Sequence, residues 1–156
     1  MQNVLDISKY IIFKHWKNGT PITNLKLQKV LYYVQGYALK KCNEMAFPEA
    51  IYRWPYGPVV PESYFEYNVH RSRPLPEPDD KDVDAVIKAL KADRAMLSVM
   101  NTVIDKSYSY TAAQLVELTH QELPWKDTGE SEIIKTSLIS LYFSGKDPLG
   151  CEVQSR

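Results

Sequence analysis

Residue types that build metal centres and catalytic sites are scarce in this chain. Only two cysteines occur among its 156 residues. Cys42 and Cys151 lie far apart and form no CxxC or Cys/His cluster, so no zinc spacing is present. Two lone cysteines in a Lys/Glu-rich chain suit a reducing compartment. There are three histidines, His15, His70 and His120. His15 and His70 have no carboxylate or thiol at a recognisable spacing. His120 falls in the last turn of an expected helix, where a cation is favoured, and reads as a capping or packing residue. None of the six glycines belongs to a GxGxxG or Walker loop, and neither GxSxG nor HExxH occurs. The sequence therefore gives no catalytic residue, no metal ligand set and no cofactor motif. No apolar run approaches the length of a membrane span, and the N-terminus lacks a basic-then-apolar leader pattern. A soluble, cytoplasmic protein without a membrane partner is expected.

Arginine is absent before Arg53, although that region is basic. Residues 1–46 hold seven lysines against Asp6 and Glu44, and the rest of the chain balances them with acid. Such a one-sided field can steer an acidic partner, or can be an uneven solvated surface. The short turn from Asn18 to Ile22 joins two expected helices, and the second could pass for a helix-turn-helix recognition helix over residues 24–40. Arginine is the commonest base reader, and its absence there, with no net positive charge, makes nucleic acid an unlikely partner.

Helical periodicity dominates what is present. Ile7, Ile11, Ile12 and Trp16 mark a helix over Asp6 to Trp16, ended by Asn18-Gly19. Thr23 is a good N-cap, and Ile22 with Leu27 has the spacing of a hydrophobic staple. Leu27, Val30, Leu31, Val34 and Ala38 then form one apolar stripe. Lys26, Lys29, Tyr33, Tyr37 and Lys40 fall on a second face. That face is either a core edge of amphipathic tyrosines with snorkelling lysines, or a partner-binding surface centred on Lys26, Lys29, Tyr33 and Tyr37. Further helices are expected after Pro61, from Asp79 or Asp80, around Met96 to Ile104, from Thr111 to about His120, and near Leu138 to Phe143. Arg73 to Pro78 reads as a stiff surface linker.

The segment RWPYGPVVPESY (Arg53 to Tyr64) stands apart. Prolines recur at Pro55, Pro58 and Pro61, with Gly57 among them and Trp54, Tyr56 and Tyr64 around them. Residues before proline are pushed away from helix, so 54–60 should be extended or turning. Two uses are open. The segment can anchor an extended insert against the helices, with Trp54 and Trp125 largely buried. It can instead offer a polyproline face to a partner. Pro61 is well placed to start a helix, which favours the anchor.

Four stretches resemble a known family. TPITNLKLQKVLYYVQGYAL (residues 20–39) is similar to the opening of the SocA-like antitoxin domain, also called Panacea, found in bacterial prophage-associated proteins. RWPYGPVVPESY resembles that family's Trp-Tyr-Gly-Pro signature, carried here by Trp54, Tyr56, Gly57, Pro58 and Tyr64. LVELTHQELPWK resembles its Thr-His and Pro-Trp signature, with Thr119, His120 and Trp125 at the matching positions, and LISLYF resembles its closing segment. The resemblance implies an antitoxin of a toxin–antitoxin system, a non-enzymatic protein that binds and neutralises a cognate protein toxin. The founding type acts as a proteolytic adaptor, handing its toxin to a ClpXP-type protease, and the resemblance leaves open whether this chain does so. The combined expectation is a mainly α, single compact domain over residues 1–145. It should contain five to seven helices and a short extended or β insert near residues 50–60. A flexible tail is expected over residues 146–156.

Overall fold

The computed structural model describes residues 1–152. Eight α-helices and a three-stranded antiparallel sheet make up its regular structure. Helix α1 (Val4–Lys17) begins at Asn3, whose side chain accepts the Asp6 N–H. Helix α2 (Asn24–Cys42) starts at Thr23, as the capping pattern requires, with the threonine oxygen accepting the Lys26 N–H. Strands β1 (Ile51–Trp54) and β2 (Gly57–Val59) form the hairpin that occupies the expected extended insert. Helix α3 (Pro61–Tyr67) follows, with Pro61 at its first position. Ser63, in the first turn of α3, is buried and bonded to Ser8 and Gln28.

Helices α4 (Asp80–Lys91) and α5 (Arg94–Ser107) are separate, because Asp93 caps the second by accepting the Met96 N–H. Helix α6 (Ala112–His120) opens with a complete capping box between Thr111 and Gln114. Pro124 lies inside a single-turn helix, α7 (Leu123–Lys126), rather than marking a bare stop. Strand β3 (Ile133–Ile134) pairs with β1, so the sheet order is β2-β1-β3, and α8 (Thr136–Gly145) ends the regular structure. The separation of α4 from α5 and the short α7 bring the helices to eight, above the expected five to seven.

All of this is built around α2, which packs against α1, α3, α5, α6, α8 and β2. Thirteen of its nineteen residues are buried, so it has no solvated face over its central turns. A helix in that position is normally apolar all round. This one carries Gln28, Lys29, Gln35 and three tyrosines inward, and every buried side-chain nitrogen and oxygen among the described residues has a hydrogen-bond partner. Gly36 allows α8 to approach closely, since a Cβ there would lie 2.3 Å from the Phe143 ring.

The segment expected as a surface linker and the one expected as a flexible tail are both fastened to the helices. Leu75, within the proline-rich connection, is fully buried. Its N–H donates to the Ile22 carbonyl, and its carbonyl accepts the Trp16 indole N–H. The segment expected as a tail is ordered through Glu152. Tyr37 donates to Asp147 at 2.5 Å and accepts the Leu149 N–H, while Asp147 also accepts the N–H groups of Cys151 and Glu152. Lys40 and Lys41 pair with Glu152. The remainder of that expected tail, residues 153–156, lies outside the described residues.

Tyr37→Phe keeps the ring packed against Phe143 and removes only the hydroxyl clasp. We expect faster amide exchange over residues 147–152 and a stability loss of about 1–3 kcal/mol, typical of a hydrogen bond to a charged group. Unchanged exchange there would show that the clasp does not hold the segment.

Candidate functional site

The signature residues converge on one joint, where the β1–β2 hairpin meets α2 and the α6–α7 corner. Lys29 is completely buried, and its ammonium nitrogen donates to the Pro58 carbonyl at 3.1 Å. Gly57 has φ +109° and sits between two elements. A Cβ there would stand 2.7 Å from Lys29 Cε and 2.8 Å from Thr119 Oγ1. The hairpin turn therefore demands glycine twice, for its backbone angle and for the space. The Thr119 hydroxyl donates to the Val116 carbonyl, which fixes its oxygen against the Gly57 backbone.

The outer half of the joint is aromatic. His120 Nε2 donates to the Pro55 carbonyl at 2.9 Å, and its ring lies 4.2 Å from that of Trp125. The Trp125 indole N–H donates to the Trp54 carbonyl at 2.9 Å. Arg53 covers the other ring surface, with its guanidinium carbon 3.9 Å from the Trp125 ring centroid, and donates to the Thr128 carbonyl. Trp54 meets Tyr64 and Phe65 edge-on. His120 is thus a structural donor with its Nε2 proton committed to a carbonyl.

The inner half depends on a buried carboxylate. Glu122 is 3% exposed and accepts from Tyr32 at 2.8 Å and Tyr33 at 2.6 Å. Burial raises its pKa to about 7 against the two hydroxyls that favour the charged form. Both tyrosines are pushed well up, first by burial and then by the carboxylate. Burial alone pushes Lys29 down to about 7. Gln28 completes the frame: its amide accepts the Val60 N–H and donates to Asn24 and Ser63.

This geometry corrects several expectations. The face of Lys26, Lys29, Tyr33 and Tyr37 is not a free surface. Lys29 and Tyr33 are fully buried and Tyr37 nearly so, because hairpin, corner and C-terminal segment all close over α2. Only Lys26 is partly accessible. The same closure rules out α2 as a recognition helix, which must lie exposed in a groove. Trp54 and Trp125 are mostly covered, as the anchoring reading expects, each leaving a minority of its surface at the outside of the joint. Tyr56, expected as an anchor, is 69% exposed at the hairpin tip. Glu122, Gln28 and Arg53 had no distinguishing signal of their own. Glu122 lies within the Thr-His stretch, but nothing in its spacing marks it as buried.

Beside the joint lies a groove of about 830 Å³, between the start of α2, the hairpin and the α3 end. Trp54, Tyr56 and Tyr64 line it, with Leu25 and Val69 on its rim. Val69 is 69% exposed, and Phe65, edge-on to Trp54 and Tyr64 next to the groove, is 61% exposed. Half of the exposed large hydrophobic side chains among the described residues are therefore gathered here.

A helical domain whose polar signature groups lock a hairpin to a buried central helix is the class this structure defines. The chain belongs to the family described as Antitoxin SocA-like, Panacea domain, whose model matches residues 27–126. That span runs from the buried stripe of α2 to the last residue of α7, and so contains the whole joint. No curated protein and no solved structure matches the chain.

Two outcomes follow from the joint. Gly57→Ala should cost about 1–3 kcal/mol for the backbone angle alone, with crowding of Lys29 added to it. Urea unfolding measures this, and a midpoint equal to that of the wild type would remove the joint's steric constraint. Stability should also vary with pH in two directions. Glu122 titrates near 7 when folded and near its ordinary 4.5 when unfolded. Between those values the folded chain holds more protons, so stability falls as pH rises. Lys29 titrates near 7 when folded and near its ordinary 10.5 when unfolded. Between those values the unfolded chain holds more protons, so stability rises with pH. The two contributions give a minimum near neutrality. Glu122→Gln should remove the acid-side fall and Lys29→Met the alkaline-side rise, read from denaturant midpoints across the range.

Proposed function

We propose that this chain is an antitoxin that neutralises a cognate protein toxin by binding it, with no catalysis of its own. Membership of the SocA-like antitoxin family supports the toxin–antitoxin role. The observation that supports binding rather than chemistry is how the polar groups of the joint are used. Lys29, Glu122, Tyr32, Tyr33 and His120 each hydrogen-bond within the fold. The side chains that face outward beside them are aromatic and aliphatic. Tyrosine and other large rigid side chains are what protein interfaces use for contact area. The lysine excess near the N-terminus would speed encounter with an acidic partner surface.

Co-expression with the neighbouring gene tests this reading. The expected result is that the neighbour alone arrests growth, and that this chain restores growth and co-purifies with the neighbour's product. A toxic neighbour that this chain neither rescues nor binds would overturn it. The same assay in cells lacking ClpXP separates two modes. Rescue that persists there indicates direct neutralisation, and rescue that disappears indicates delivery to the protease.

A further inference from the structure

The groove beside the hairpin has a one-signed lining. Its two charged side chains are Lys29 and Arg71, and no carboxylate lines it. Arg71 is exposed, and the ion pairs among the described residues are those of Lys40 and Lys41 with Glu152, so Arg71 has no carboxylate partner. Its backbone has φ 54° and ψ −124°, uncommon for a residue with a side chain. The Arg71 N–H, donating to the Asn68 carbonyl at 3.0 Å, fixes that turn at the groove edge. Two of the amides in the lining are already spent inside the protein, Asn24 on the Tyr64 carbonyl and Gln28 on Val60, Asn24 and Ser63. The polar groups left for a partner are the Arg71 guanidinium, the Asn68 amide and the Ser72 hydroxyl, and the rest of the lining is aromatic or aliphatic.

We propose that this groove receives a segment of the toxin that carries a carboxylate beside an aromatic or branched apolar side chain. The carboxylate sets against Arg71, and the apolar side chain lies on Tyr56, Trp54 and Val69. This rests on the antitoxin reading for the identity of the partner, and on charge complementarity for the chemistry of the segment. An arginine fork matches a carboxylate in geometry, so a single acidic residue suffices. A nucleic-acid strand would also stack on aromatics, but it brings a phosphate with every nucleotide, whereas the groove offers one exposed cation, Arg71.

Fluorescence anisotropy tests the chemistry without the toxin. The probe is a short labelled peptide with an Asp-Phe-Glu-Trp core. One control replaces its acids by amides, a second replaces its aromatics by serine, and an oligothymidine strand serves as a third. The acidic aromatic peptide should bind, and each peptide control should bind at least about 10-fold more weakly, equivalent to about 1.4 kcal/mol. Arg71→Glu and Tyr56→Ser should each weaken binding by a similar factor, while Leu141→Ser on the far surface should leave it unchanged. All three positions are exposed, so thermal melts should match the wild type. Equal affinity for the amide peptide, preference for the oligothymidine, no peptide binding at all, or indifference to both groove variants would each overturn the proposal. Growth rescue separates the two readings. Failure of the wild type to rescue sinks the antitoxin reading alone. Rescue by the wild type and equally by Arg71→Glu and Tyr56→Ser sinks the groove alone.

Discussion

Burial of α2 on all sides is the constraint on which the rest of the structure depends. A helix enclosed this way offers no water to its polar side chains, and an unsatisfied buried donor or acceptor costs about 1–3 kcal/mol. The polar residues of α2 must therefore find partners, and most of those partners lie on the hairpin, the corners and the loops around it. Gln28 takes the strand-to-helix corner at Val60, and Lys29 takes the hairpin at Pro58. Tyr32 and Tyr33 take the α6–α7 corner through Glu122. Gln35 takes the loop before β1, accepting from Ala46 and donating to the Phe47 carbonyl, and Tyr37 takes the C-terminal segment through Asp147. One helix thus fixes five connections that have little regular structure of their own.

This division of labour fixes the position of the hairpin. The hairpin cannot drift, because Lys29 and Thr119 leave room only for glycine at its turn. Its far side can then carry Tyr56 into solvent without losing position. Charged groups inside the joint cost desolvation energy, and Lys29 and Glu122 both titrate near neutrality as a result. Such groups hold geometry with high stakes, since removing one partner leaves the other buried and unpaired. A fixed platform also lowers the ordering entropy of binding, which is what an interface on a short hairpin needs.

The distribution of polar groups bears equally on chemistry. A catalytic base needs a free lone pair within reach of substrate. His120 faces a backbone carbonyl with Nε2 and a tryptophan ring with its surface. His15 is buried and pushed down to about 4, mainly by burial, with Nδ1 beside the Ile11 carbonyl. Both contribute hydrogen bonds to the fold.

Much of the helical framework was legible in the sequence, because helix starts depend on local groups. Thr23, Asp79, Thr111 and Pro61 each satisfy or lack a backbone N–H at a fixed spacing, and each begins the helix it should. The proline spacing correctly placed an extended insert, and family membership followed from four short motifs in order. The joint itself was not legible. Periodicity divides a helix into faces, but it cannot count how many neighbours will cover them, so the Lys29 and Tyr33 face looked free and is buried. Glu122 reads as an ordinary surface acid until Tyr32 and Tyr33 are brought to it across about ninety residues of chain. Leu75 looked like surface linker and Asp147 like flexible tail for the same reason, since their partners, Trp16 and Tyr37, are distant in sequence. The sequence by itself determined where helices begin and which family they belong to, through local hydrogen-bond chemistry. Only the tertiary structure decided which polar side chains are structural and which apolar ones face solvent, because that depends on long-range closure around α2.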